Sequence, residues 1–355
     1  MKRLKCISLI LILAFIFPLI GCGGVDYAPE PEAVVEMEVE SDDVEEVWEA
    51  EPEEWVDVAD EEELEDEFTV TPRQGLGIHG LISRVELGDN VVYIFGSMHM
   101  GRSEWYPLHQ EVEDAMRRSD AFVFETDITD EGMMMATPLM MEHMFLENMT
   151  LSEFLEEGAF EHLMEVVATY GISYQAIRGL TPWVVSIMLA EIAYSRVGIT
   201  ANYGVDFYVM GFAQAHNRPI LYLNPIEHEI ELAFNLTEEL QHYAALSVEN
   251  FDVAIQQVER LVQAYETQDI DLITTLIRES SITGETPNPL EIYMIEVIVI
   301  QRSIEFAREI IRLLEETGEA TTFFVTMGIG HLVGEDYGNV FNYLMDAGFQ
   351  VEPLH

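Results

Sequence analysis

Val91-Val92-Tyr93-Ile94-Phe95-Gly96-Ser97-Met98-His99 decides the fold, because five strand-favouring apolar residues run without a break into a glycine and then a histidine. An apolar run of this length, bounded by turn residues, is the pattern of a strand buried on both faces. Gly88-Asp89-Asn90 lies just before it and Gly80 to Leu87 before that, which predicts a hairpin. The pattern returns near the C-terminus, where Thr322-Phe323-Phe324-Val325-Thr326 is followed by Met327-Gly328-Ile329-Gly330-His331. Both copies carry Gly-x-x-His directly after a β-like run. Ligands gather beyond strand ends in an α/β sheet, so two histidines delivered this way predict one shared site.

Working outward, Ala121 to Phe124 reads as a third buried strand that runs into Glu125, and Pro219 to Leu223 as a fourth. Gln350 to Pro353 closes the chain as a strand after a helix over Val340 to Ala347. Pro107 is expected to open a helix through Arg118, since proline is tolerated in a first turn. Val205 to His216 reads as a helix. Residues 137–196 and 226–317 are mostly helical in pattern, broken near Thr283-Gly284 and Pro287-Asn288-Pro289. The expected fold class is therefore α/β, with a mixed central sheet formed by N- and C-terminal strands and a large helical middle region.

The first residues carry a targeting pattern. Lys2, Arg3 and Lys5 precede an apolar run from Ile7 to Ile20 that ends in Leu19-Ile20-Gly21-Cys22. The run is too short for a confident transmembrane span. Its ending matches the bacterial lipobox, in which cleavage precedes a cysteine that then carries lipid. The expected organisation is a lipoprotein signal peptide at 1–21, a tether at 22–75 and an α/β domain at 76–355. Cys22 is the expected lipidation site, and the expected location is the extracytoplasmic face of the cell membrane. The only other cysteine, Cys6, would leave with the signal, so no intramolecular disulfide is expected in the mature chain.

Charge narrows the function further. Between Asp26 and Glu67 there are 22 acidic residues and no lysine or arginine. Such a segment repels itself and has little to bury, so it reads as a disordered spacer. After Glu67 the chain carries 44 acidic residues against 13 arginines, and no lysine follows Lys5. Nucleic acid is thereby excluded as a partner, because phosphate neutralisation needs a basic face. A net charge of −50 favours cationic peptides or metal ions instead.

His99, His331 and Glu125 each follow a predicted strand and would converge at one sheet edge. Two imidazoles and a carboxylate suit a divalent transition metal with open positions for water and substrate. Such an ion lowers the pKa of bound water and polarises a carbonyl. Glu125 is either a third ligand or the base that takes a proton from bound water. The Met-rich stretch (Met133, Met134, Met135, Met140, Met141, Met144) reads as core packing or a lid, with an adaptable peptide groove as the sharper alternative. His216, His228 and His242 read as ordinary helical residues. Ser97 lacks a Gly-x-Ser-x-Gly elbow, which argues against a serine hydrolase. Leu290 to Ile300 contains Glu291 and Glu296, is too short to cross a bilayer, and reads as a buried helix.

These residues carry a family resemblance. Tyr93 to Gly101, Tyr106-Pro107-Leu108, Phe122 to Asp127, Gly204-Val205-Asp206, Met327 to Gly334 and Gly348 to Val351 together resemble the TraB/PrgY/GumN family over about residues 78–354. That family is similar to the Tiki-type metalloproteases, which are membrane-tethered and clip amino-terminal residues of a secreted signal. PrgY-like members are implicated in inactivating a peptide pheromone. The resemblance implies a metal-dependent hydrolase acting on a peptide or protein substrate, with His99 and His331 as the paired histidines and Glu125 as the acidic residue. Arg302 matches the arginine of the family's late helix, and its implied role is to stabilise an oxyanion. The chain departs from the pattern where Asn224 and Glu229 stand after Leu223, and where Ser303 follows Arg302. The alternative function is a surface lipoprotein that binds a peptide or metal-bound ligand without cutting it.

Overall fold

The computed structural model describes residues 77–281, 287–318, 320–334 and 338–354. The expected signal peptide, the lipid-bearing Cys22 and the acidic tether lie outside the described residues.

The hairpin forms where the sequence predicts it. β1 (Leu81–Leu87) pairs antiparallel with β2 (Asn90–Ser97), setting Leu81 opposite Gly96 and Leu87 opposite Asn90. Gly88 turns the chain at a φ of 62°, a region that glycine enters without strain. β3 (Ala121–Phe124), β4 (Ile220–Tyr222), β5 (Thr322–Gly328) and β6 (Val351–Pro353) complete a six-stranded sheet in the order β4-β3-β5-β2-β1-β6. β4, β3, β5 and β2 run parallel, whereas β1 is antiparallel to both its neighbours. The sheet is thus mixed and draws on both ends of the domain. Each edge strand has three residues, too few to template pairing with another chain.

Alternate residues of the strands part to opposite faces. Val92, Ile94, Phe323, Val325 and Met327 enter one apolar core, and Tyr93, Phe95 and Phe324 the other. Helices cover both. α1 (Gln110–Arg118) crosses from β2 to β3. Between β3 and β4 come α2 (Asp130–Met144), α3 (Leu151–Phe154), α4 (Glu157–Thr169), α5 (Tyr174–Ile177), α6 (Pro182–Arg196) and α7 (Val205–Ala215). Between β4 and β5 come α8 (Ile226–Phe234), α9 (Glu238–Leu246), α10 (Phe251–Thr267), α11 (Ile270–Ser281) and α12 (Pro289–Tyr293). A π-helical stretch, Met294–Gln301, then leads into α13 (Arg302–Glu316), and α14 (Val340–Asp346) joins β5 to β6. α1 and α7 pack on the Phe95 face, while α13 and α14 pack on the Val325 face. β5 is inserted between β2 and β3, so the crossovers diverge around its carboxyl end. That is where an α/β sheet opens a crevice.

Local structure departs from expectation at two places. The helix expected from Pro107 starts at Gln110, because the His109 side chain accepts a hydrogen bond from Glu111 N at 3.4 Å and caps it there. Leu290 to Ile300 is helical but half π in register, with Leu290, Met294, Ile298 and Val299 buried. The methionines of α2 divide: Met133 and Met140 are buried, and Met134, Met135 and Met141 face solvent.

One close approach sets the position of α7. Val205 N donates to Met98 O at 3.0 Å, and Gly101 exchanges backbone hydrogen bonds with Thr200 at 2.9 and 2.8 Å. A Cβ on Gly204 would fall on the carbonyl oxygen of His99. Gly204→Ala should therefore cost roughly 1–3 kcal/mol, as overpacking does, read as a lowered urea midpoint. Gly211→Ala, on the same helix with open space around its Cβ, should be neutral or slightly stabilising. Equal effects at the two positions would show that the approach at Gly204 is unimportant.

Candidate functional site

The parallel register brings three strand ends together. Ser97 lies opposite Gly328 and Phe124 opposite Thr326, so Ser97, Glu125 and Gly328 reach one edge of the sheet. His99 follows β2 by two residues. His331 follows β5 through a single 3-10 turn, Ile329–His331. α7 brings Asp206 in its first turn, α8 brings Glu229, and α13 brings Arg302 and Ser303. All are buried: His99 is 1% exposed, His331 2%, Glu125 6% and Arg302 2%.

The polar contacts fix each ring and charge. His99 Nδ1 lies 2.8 Å from Asp206 Oδ2, and Ser97 Oγ donates to Asp206 Oδ1 at 2.9 Å. The carboxylate can only accept, so His99 Nδ1 carries the proton and Nε2 the lone pair. Ser303 Oγ donates to Val299 O at 2.7 Å and lies 3.0 Å from His331 Nδ1. Its one proton being committed, it accepts from His331 Nδ1–H. Arg302 then donates to His331 Nε2 at 3.3 Å. The same guanidinium meets Glu125 Oε2 and Glu229 Oε2, each at 2.5 Å. Gly328 N donates to Glu125 Oε1 at 2.5 Å, and Asn224 Nδ2 to Glu229 Oε1 at 2.9 Å.

The electrostatics follow from this wiring. Burial would raise the Glu125 carboxyl, but the Arg302 guanidinium, both histidines and Gly328 N–H outweigh it and hold it down at about 2. Glu229 shares the same cation and feels Glu125 as a neighbour. Burial leads there, and its carboxyl is raised. Burial also pushes His331 down to about 3, against the pull of Glu125, so this imidazole is neutral. Arg302 stays charged between its two carboxylates despite burial. Its Nε, and the hydroxyls of Thr126 and Thr326, are buried without a hydrogen-bond partner among the described residues. A buried, unmatched guanidinium N–H is costly and marks a place for an acceptor.

The structure brings all four expected residues to one place, with Arg302 linking Glu125 to His331. It does not close them into a ligand cage. Among the described residues, the side chains whose ligand atoms all lie within 4.8 Å of one another are His79, His109 and Glu111. Sequence reasoning gave no role to Asp206, Ser303 or Glu229. Asp206 was visible only within a Gly-x-Asp helix start, and the other two only as departures from a pattern. His228 proves to contact Glu305 at 3.2 Å, on the rim of the same network.

The TraB/PrgY/gumN family profile matches residues 81–353. The chain belongs to the TraB/PrgY/gumN family. Among curated proteins it is 22% identical over 152 residues to Uncharacterized protein YbaP of Escherichia coli (strain K12), covering 43% of this chain and 55% of that one. The Shigella flexneri protein of the same name matches to the same extent. The chain thus spans about half the length of the curated relatives it matches. No solved structure matches it.

The buried titratable groups make a pH prediction. Below about 6.5 the unfolded chain protonates His331 while the folded chain refuses the proton down to about 3. Stability from this group falls as pH falls through that window. Glu125 adds the same sign from about 4.5 down to about 2, and Glu229, raised by burial, opposes it. His331→Gln should flatten the fall in Tm between pH 6 and pH 4, followed by circular dichroism. An unchanged slope would remove His331 as its source.

Proposed function

We propose that this protein is a metal-dependent hydrolase that cuts peptides. The observation that carries the reading is the matched anchoring of the two motif histidines. Asp206 and Ser303 hold their Nδ1 atoms at 2.8 and 3.0 Å, which makes Nε2 the lone-pair atom in both, and an ion held by His331 would take the place of the 3.3 Å contact from Arg302. Metal-bound histidines are oriented by such outer partners. The donor set fits a divalent ion in kind: two imidazoles beside a buried excess of carboxylate over guanidinium charge. His99 and His331 would hold the ion, which supplies an activated water and a polarised carbonyl.

The chain's own groups divide the remaining work. Glu125, held at about 2, is a weak base, so it serves better as a ligand or as the anion that fixes Arg302. Glu229, raised by burial, is better matched to accept a proton. Arg302 Nε–H, buried without a partner among the described residues, is the donor available to a developing oxyanion. The acidic chain favours cationic peptide segments. Full burial of the four residues favours a second reading, a site that binds without cutting, and retained metal without turnover would select it.

The test is metal analysis of the purified full chain together with mass spectrometry of cationic peptide mixtures. His99→Ala and His331→Ala should each remove site-bound metal and hydrolysis. Glu125→Gln losing both marks a ligand, whereas losing hydrolysis alone marks a base. Arg302→Lys should slow turnover more than it weakens metal binding, because a planar fork becomes a point charge. Unaltered hydrolysis in either histidine variant would overturn the reading.

We also propose that the protein is a lipoprotein held on the extracytoplasmic face of the membrane through Cys22. The lipobox ending Leu19-Ile20-Gly21-Cys22 supports this. Cys22→Ser should lose metabolic lipid labelling and leave the membrane fraction. Labelling that persists in the variant would sink the proposal.

A further inference from the structure

We propose that His79, His109 and Glu111 form a second metal site, for a divalent transition-metal ion of the zinc class. It shares no residue with the Arg302 network. Each of the three side chains offers a ligand atom within 4.8 Å of the others. Two imidazoles and a carboxylate, with a remaining position for water, are a donor set that zinc accepts.

The backbone builds the place where they meet. His109 N donates to Ile78 O at 2.9 Å, which ties the lead-in of β1 to the start of α1. Gly80 holds a left-handed φ of 56°, and a Cβ there would press on the Phe95 ring and on Gly96 O. The lead-in is thus clamped against β2, and His79 is buried at 7% exposure. The His79 and His109 rings stand 4.8 Å apart at 64°.

The ring of His79 carries the argument. Its Nδ1 lies 3.1 Å from Gly80 O, and its Nε2 lies 2.8 Å from Glu111 Oε2. Both partners are acceptors, and a neutral imidazole has one proton to give. With Nδ1–H donated to the carbonyl, a lone pair on Nε2 faces a carboxylate oxygen. Either a second proton on the ring or a divalent ion taking the Nε2 lone pair and the carboxylate together satisfies both partners. The pattern of Nδ1–H on a backbone carbonyl with Nε2 turned to an ion is also how metal-bound histidines are oriented. Ligand atoms around a tetrahedral zinc lie about 3.4 Å apart, so side-chain rotation must close the widest gap, open the 2.8 Å His79–Glu111 contact and release His109 Nδ1 from Glu111 N. A bound ion would fasten α1 to the start of β1, beside the first Gly-x-x-His motif.

The test is zinc titration of the chelator-treated full chain carrying His99→Ala and His331→Ala, so that the proposed catalytic pair contributes nothing. One tight zinc-binding event should remain, and zinc should raise Tm. Adding His79→Ala or His109→Ala should weaken that event about 100-fold or more, since even outer-sphere changes cost 10- to 100-fold. Glu111→Gln keeps a hydrogen-bonding group opposite His79 and should lose the zinc-dependent rise in Tm. It decides the matter if a histidine variant fails to fold. Zinc held by the acidic segment appears equally in every variant and cancels. The same affinity and the same rise in Tm with and without these residues would overturn the proposal and leave a simple His79–Glu111 ion pair.

Discussion

Arg302 stands between two carboxylates, Glu125 and Glu229, each 2.5 Å from one nitrogen of its guanidinium, and the chain is closed around this contact. Burying three charges carries a desolvation cost of several kcal/mol per ion, and only full pairing offsets it. Glu125 completes its pairing with Gly328 N, and Glu229 with Asn224. The end of β3, the end of β5, the loop after β4, α8 and α13 thus meet through charge as well as through the apolar cores around them. Removing the arginine would strand two anions in the interior. An apolar substitute would pack more cheaply.

The helix that delivers Arg302 is built for the purpose. α12 runs into eight residues of π-helix, Met294–Gln301, before α13 begins at Arg302. π-Helical turns are rare and concentrate at functional sites. The wider turn changes which side of the helix faces the sheet. Arg302 and Ser303, neighbours in sequence, both reach inward: Arg302 meets Glu125, Glu229 and His331, and Ser303 meets His331 Nδ1. Ser303 bonds back to Val299 O within the same helix, which leaves its oxygen as an acceptor and so selects the His331 tautomer.

Much of this was legible because it is written locally. Val91 to Phe95, Thr322 to Thr326 and Ala121 to Phe124 are short runs whose apolar continuity dictates buried strands, and the glycine and histidine after each of the first two, like Glu125 after the third, lie within five residues. The sheet and the meeting of His99, His331 and Glu125 at one edge follow from those runs and from parallel pairing. The partners that give the residues their properties were not legible. Asp206 reaches His99 because Gly204 admits a helix against a backbone carbonyl, a contact between segments more than 100 residues apart. Glu229 and Ser303 are unremarkable on their own helices and gain meaning only through Arg302 and His331 respectively. The helix start at Gln110 was misplaced because a histidine cap outweighed the proline signal.

Proton affinities narrow who does what at the edge. A residue that moves protons near neutral pH needs an affinity matched to that pH. Glu125 is held at about 2 and His331 at about 3, one by ion pairing against burial and the other by burial itself. Both keep a single protonation state across the working range, as suits groups that hold position and charge. Glu229 departs in the other direction because burial outweighs the pull of Arg302, and the neighbouring Glu125 charge adds to the rise. Two carboxylates on one cation are thereby made unequal, one a fixed anion and the other able to take a proton. Environments that push paired groups apart are how one site separates its electrostatic role from its acid–base role. On the proposed hydrolase reading, proton movement falls to the Glu229 side of Arg302 and fixed charge to the Glu125 side.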